Sequence, residues 1–125
     1  RSPRPGTIGS RRPITEVPDF VKNLPEIDLP FEGVRGWVIQ GEKQQTVFVE
    51  FLADVAVPEH EHGDQWEFVV AGRAELHRAG GTEIYVAGDN FFVPAGQPHS
   101  ATVHAGYRAM MVFDDPGRYQ VKQEG

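Results

Sequence analysis

Glu59-His60-Glu61-His62-Gly63-Asp64-Gln65-Trp66, followed further along the chain by Gly88-Asp89-Asn90-Phe91-Phe92-Val93-Pro94-Ala95-Gly96-Gln97-Pro98-His99, decides how the fold is read. Side chains of an extended chain alternate with period two, so His60 and His62 fall on one side and can grip one ion together. His99 brings a third imidazole from a segment framed by glycine and proline turns. A first-row transition metal is the natural occupant of such a set.

Outward from these stretches the pattern is one of short strands and turns. Strands are expected at 34–40, 45–52, 55–60, 65–71, 74–78, 83–86, 90–93, 100–103 and 108–113, with glycines such as Gly63, Gly72, Gly88 and Gly96 at the turns between them. Short strands at a spacing of about eight to twelve residues indicate an all-β barrel or sandwich. Between Ile14 and Leu29, Pro18 and Pro25 leave room for one helical turn at most. Residues 1–19 read as a flexible basic arm, 20–115 as a single β-barrel, and 116–125 as a tail whose Tyr119 folds back onto the body.

Composition narrows the function. A chain of 125 residues, 39% apolar, is one domain with one modest core. Eighteen acidic side chains face twelve basic ones for a net charge of -6, and Arg1, Arg4, Arg11 and Arg12 all lie in the expected arm, so the body is more acidic still. Nucleic acid is not an expected partner. No apolar run approaches the roughly 20 residues of a membrane span. With no cysteine present, disulfides, thiolate ligands and thiol nucleophiles are all excluded, which fits a cytoplasmic protein.

A fourth ligand is open between two residues. Alternation places Gln65 and Glu67 on one face of their strand and Trp66 and Phe68 on the other. A carboxylate is usually the better ligand for a divalent cation, which favours Glu67; the tight Gly63-Asp64 loop brings Gln65 nearer the ion.

The two stretches resemble the cupins, small β-barrels whose first motif reads G-x5-H-x-H-x3-4-E-x6-G and whose second reads G-x5-P-x-G-x2-H-x3-N. His60, His62 and Gly72 fit the first, and Gly88, Pro94, Gly96 and His99 the second, over about residues 31–113. Asp54 stands where the first motif opens with glycine, and Val103 where the second closes with asparagine. The resemblance implies a jelly-roll barrel, a double-stranded β-helix. Counting back from Gly72 puts Gln65 at the glutamate position, while counting on from His62 puts Glu67 there. The chain is similar to short single-domain cupins carrying H-x-H-x2-Q-W, which implies His60, His62, Gln65 and His99 as ligands and leaves Glu67, two residues further on the same face, as the catalytic base.

Three imidazoles and an amide leave the full charge on a divalent ion, Ni, Zn, Mn or Fe(II), and suit Lewis-acid work. Phe48, Trp66, Tyr107 and Met110 are candidates to line the pocket, with Tyr107 and Arg35 available to an acid substrate. The strand from Gln45 is apolar on both faces, so a second subunit is expected to cover one of them, and the resemblance likewise implies a homodimer. His77 and His104 are expected outside the site. Functionally the resemblance implies a metal-dependent isomerase or lyase acting on a small sugar-acid-like or polyketide-like molecule, an iron-dependent dioxygenase, or a barrel that binds a small ligand without turnover.

Overall fold

The computed structural model describes residues 16–123. After a single helical turn, α1 (Asp19–Lys22), nine strands follow: β1 (Val34–Gln40), β2 (Gln45–Phe51), β3 (Val55–His60), β4 (Gln65–Ala71), β5 (Arg73–Arg78), β6 (Gly81–Val86), β7 (Asn90–Val93), β8 (His99–Val103) and β9 (Arg108–Phe113). They form two antiparallel sheets, ordered β1-β2-β9-β4-β7 and β3-β8-β5-β6. From β2 to β5 the chain changes sheet at every strand, and again between β6 and β9. This is the winding of a jelly roll, in which the apolar face of each sheet is buried against the other.

Alternation sets what each face carries. In the five-stranded sheet, Val47, Val49, Phe51, Val69, Val93, Met111 and Phe113 point into the core. Gln65 lies in register with Phe113 and Val93 on that inner face, and Glu67 with Met111 and Phe91. Two polar side chains thus stand among apolar ones in the barrel wall. Gly72, at the tight link from β4 to β5, has φ +82°, and a Cβ there would sit 2.6 Å from Tyr107 Cα, so only glycine lets the chain reverse beside Tyr107.

Phe48, Trp66 and Met110 do not line the cavity as expected. They belong to the outer face, because each alternates with residues that point inward: Phe48 with Val47 and Val49, Trp66 with Gln65 and Glu67, Met110 with Ala109 and Met111. The outer face carries one cross-strand row of Trp37, Phe48, Met110 and Phe68, and a second of Ile39, Thr46, Val112, Trp66 and Phe92. Trp37 is fully buried, with Lys22 and Arg35 over its ring, whereas Trp66 is 47% and Phe92 51% exposed. Arg35 also lies outside, clasping Glu26 at 2.9 Å and holding that carboxyl down to about 2, so it is not a substrate partner.

The expected basic arm falls largely outside the described residues. The last residues, by contrast, return to the body. Val121 bridges to Ile27, and buried Gln45 holds Tyr119 through both its backbone groups, at 3.0 Å to the N–H and 2.9 Å to the carbonyl. The Tyr119 ring packs edge-on against Phe113.

Candidate metal centre

The site is assembled where the two sheets meet. His60 closes β3 and pairs in register with His99, which opens β8, so one step of antiparallel pairing brings together residues far apart in the chain. A bulge between Val57 and His60 bends β3 at Pro58, tolerable because among the described residues β3 is an edge strand with no ladder partner on that side. His62 sits in the β3–β4 loop. That loop is fastened to the turn before β8: the Gly96 N–H donates to the His62 carbonyl at 2.9 Å, and the Ala95 N–H to Asp64 Oδ1 at 2.7 Å. The glycine and proline frame around 94–98 therefore positions His62 as well as His99.

One nitrogen from each of His60, His62 and His99 lies within 4.8 Å of those of the others. Each ring uses Nδ1 on a nearby main-chain oxygen, those of Pro58, Gly63 and Gln97, all at 2.8 Å. A carbonyl only accepts, so a proton sits on each Nδ1 and the lone pair on each Nε2. Among the described residues His62 Nε2 is buried without a hydrogen-bond partner. Burial, opposed by the Gly63 carbonyl, lowers the His62 pKa to about 4, and burial also lowers that of His99. These two rings are thus neutral at pH 7, as ligands must be, and an orphaned ring nitrogen facing two more imidazoles fits a transition ion. Glu59 and Glu61 orient none of the rings; main-chain carbonyls do that work.

Beside the imidazoles, Gln65, Glu67 and Tyr107 form one buried chain. Gln65 Nε2 donates to Glu67 Oε1 at 2.7 Å, and the Tyr107 hydroxyl donates to Glu67 Oε2. Burial raises the Glu67 pKa to about 7, against the pull of those two hydrogen bonds. Burial, with Glu67 next to it, also raises Tyr107 above its ordinary range, so the phenol keeps its proton. All three line a cavity of about 370 Å3 together with the three histidines.

Of the expected residues, His60, His62, His99, Gln65, Glu67 and Tyr107 come together; Phe48, Trp66, Met110 and Arg35 do not. His77 bonds Thr82 and Thr102, and His104 bonds Glu75; neither histidine lines the cavity. Met111, not its neighbour Met110, lines the cavity and meets the Gln65 amide through its sulfur at 3.4 Å, and Arg118, which reaches the cavity from the tail, is the residue that sequence reasoning missed. Alternation along β9 was the signal for Met111. For Arg118 the Pro116-Gly117 turn was the only hint.

Two sheets wound as a jelly roll around a cup of three imidazoles define a β-barrel with a candidate metal centre. The family model described as Cupin domain matches residues 47–114, more than half of the chain, and the chain belongs to the cupin family. No curated protein matches it. Among solved structures, KdgF from Halomonas sp. is 23% identical, with a TM-score of 0.63 over 74% of this chain and 88% of that one. An RmlC-like cupin from Shewanella frigidimarina is 26% identical, with a TM-score of 0.64 over 75% and 86%. The oxalate decarboxylase of Bacillus subtilis, a protein with Mn(II) centres, is 20% identical, with a TM-score of 0.63 over 78% of this chain and only 29% of that one. At these identities the likeness is one of fold.

Proposed function

We propose that this chain is a metal-dependent enzyme acting on a small oxygenated molecule, with His60, His62, His99 and Gln65 holding one divalent transition ion and Glu67 moving a proton. The observation that carries this reading is Glu67: a buried carboxyl in the cavity wall beside the imidazole cup, with a pKa of about 7. A general base works best when its pKa lies near the working pH, and burial beside the imidazole cup raises Glu67 into that range. When bound, a divalent ion among neutral ligands supplies Lewis-acid polarisation of a substrate oxygen.

The chain's own residues supply the rest. Ionised Glu67 accepts hydrogen bonds only, so the Gln65 amide nitrogen faces it and the amide oxygen is left for the ion. Tyr107, which stays protonated, fixes the other carboxylate oxygen and with it the direction in which Glu67 can take a proton. Val49, Phe91, Val93 and Met111 keep water from the cavity wall around them. The arrangement suits removal of a proton from carbon next to a polarised carbonyl, the step shared by isomerases and many lyases.

Solvent exchange tests this without a known substrate. Metal-loaded protein in D2O, offered a panel of small 2-oxo acids and 1,3-dicarbonyl compounds, is expected to place deuterium next to the carbonyl of at least one. Glu67→Gln should retain its metal and exchange at least ~100-fold more slowly. Exchange at the parent rate in Glu67→Gln would take the proton transfer away from Glu67, and none by the parent with any compound would favour a ligand-binding barrel instead.

A second copy of the chain is the cover we propose for the outer face of the five-stranded sheet. Ile39, Trp66, Val70 and Phe92 are exposed there, and a patch of this kind on one sheet can meet itself across a twofold axis. Light scattering is expected to give a dimer for the parent and a monomer for the double variant Trp66→Glu/Phe92→Glu; a monomeric parent would contradict this.

A further inference from the structure

Arg118 stands in the wall of the same cavity without an anion of its own. The other described arginines each pair with a carboxylate: Arg35 with Glu26, Arg73 with Glu75, Arg78 with Glu83 and Arg108 with Glu50. Among the described residues Arg118 pairs with none, and its Nε is buried without a hydrogen-bond partner. A guanidinium with unused donors facing a cavity calls for an explanation.

Its position is fixed. The guanidinium carbon lies 4.4 Å from the ring centre of Tyr119 and 5.5 Å from that of Phe113. Tyr119 is tied through its backbone to Gln45, and the Gly117 N–H donates to Asp115 Oδ1 at 2.8 Å, which shapes the turn leading into Arg118. Phe113 in turn packs edge-on against the His62 ring at 5.5 Å. One aromatic ring therefore touches both the guanidinium and an imidazole of the candidate metal centre. A cation stacked on two rings keeps its hydrogen-bonding edge free for a ligand and loses little freedom on binding one.

The opposite end of the cavity has a different chemistry. Leu29, Phe31, Val34, Phe51, Val57 and Val103 line it, and none carries a side-chain donor or acceptor; of the polar side chains near them, the Tyr85 hydroxyl is taken up by Glu83, the Tyr107 hydroxyl by Glu67 and the Glu75 carboxylate by His104. A ligand hydroxyl placed there would lose its water without gaining a partner, at a cost of roughly tenfold in affinity for each.

We propose that the cavity takes a small monocarboxylate with an apolar acyl or aryl body, its carboxylate held by Arg118 and its body lodged against Leu29, Phe51 and Val103, and that it discriminates against polyhydroxylated acids. This rests on the cavity being the substrate site of the function proposed above, and narrows the substrate to that class. Arg118 is a specificity residue here, because it meets the acid group and leaves the proton transfer to Glu67.

The test uses 3-phenylpropionate, its neutral amide 3-phenylpropionamide, and galacturonate, titrated by calorimetry into the cobalt-loaded parent, Arg118→Gln and Arg118→Lys. In the parent the acid is expected to bind at least ~10-fold more tightly than the amide, and galacturonate at least ~10-fold more weakly than the acid. Arg118→Gln should cut the acid-to-amide ratio by at least ~5-fold, and Arg118→Lys, which keeps the charge but not the fork, should restore part of it. An unchanged ratio in Arg118→Gln, or galacturonate binding as tightly as phenylpropionate, would overturn the proposal. The visible spectrum of bound cobalt, recorded before any ligand is added, reports the metal centre separately. A chain that takes up no cobalt contradicts the metal centre, and the acid-to-amide ratio measured on that metal-free protein still decides the role of Arg118.

Discussion

Zinc, nickel, manganese or iron(II), whichever the centre binds, is expected to raise the unfolding free energy of the metal-free protein by about 4 kcal/mol when supplied at about a thousand times its Kd, and to leave His99→Ala nearly unmoved. The stabilisation arises because only the folded chain gathers the three Nε2 lone pairs: His60 and His99 by strand pairing, His62 by its loop's bonds to Ala95 and Gly96. The unfolded chain keeps only the His60-Glu61-His62 pair, which binds far more weakly. His99→Ala leaves the folded protein with that pair and the weakly binding Gln65 amide, and so removes most of the difference. Chemical denaturation of parent and variant, each with and without metal, gives the four free energies needed. An equal rise in both proteins would show that the ion sits elsewhere.

The second large effect is in the pH dependence of the metal-free protein. Glu67 has a pKa raised from 4.5 to about 7 in the fold, so between those values the folded chain holds a proton that the unfolded chain has released. Its stabilisation is fully present below pH 4.5 and is lost as pH rises through 7, a span of about 3 kcal/mol. His62 acts with the opposite sign. Its pKa falls from 6.5 to about 4, so its contribution is full above pH 6.5 and is lost as pH drops toward 4, and His99 shifts in the same direction. The contributions oppose each other between pH 4.5 and 6.5, which flattens the parent's profile there. Glu67→Gln removes one of them, and its stability should climb with pH across that window. The parent's advantage over Glu67→Gln should therefore shrink steadily from pH 4.5 to 7. A constant difference would mean that Glu67 is ionised in the fold throughout.

Much of the fold is legible in the sequence. Glycine and proline punctuation separates the strands, and period-two alternation assigns their faces, so the nine expected segments correspond to β1 through β9 with shifts of one or two residues at the ends. Hydropathy has nothing to say at Gly81, which opens β6 two residues before the pattern begins, and it misleads at Leu52, an exposed apolar residue just beyond the end of β2. Alternation also held information left unused: once Gln65 and Glu67 face inward, Trp66 between them must face out, whatever its size. Size and aromaticity suggested a pocket residue, but the pleat decides direction.

What the sequence could not carry was contact at long range between unpatterned residues. Arg118 lies in a polar turn, and its place in the cavity depends on a bond between Gln45 and Tyr119, 74 residues apart, that no local periodicity announces. The choice between Gln65 and Glu67 is of the same kind. Both are buried on one face, and what separates their roles is that one donates to the other, a matter of side-chain geometry that spacing leaves open.

In the function proposed for this chain, His60, His62 and His99 together hold one transition ion. Elemental analysis of the untagged parent and His62→Ala, each saturated with the metal it prefers and then dialysed without chelator, tests it most directly. The parent should retain about one equivalent and His62→Ala should lose it, since removing a ligand should weaken affinity by at least the roughly 100-fold that loss of a supporting contact can cause. A parent that retains no metal, or a His62→Ala variant that retains as much as the parent, would contradict the claim.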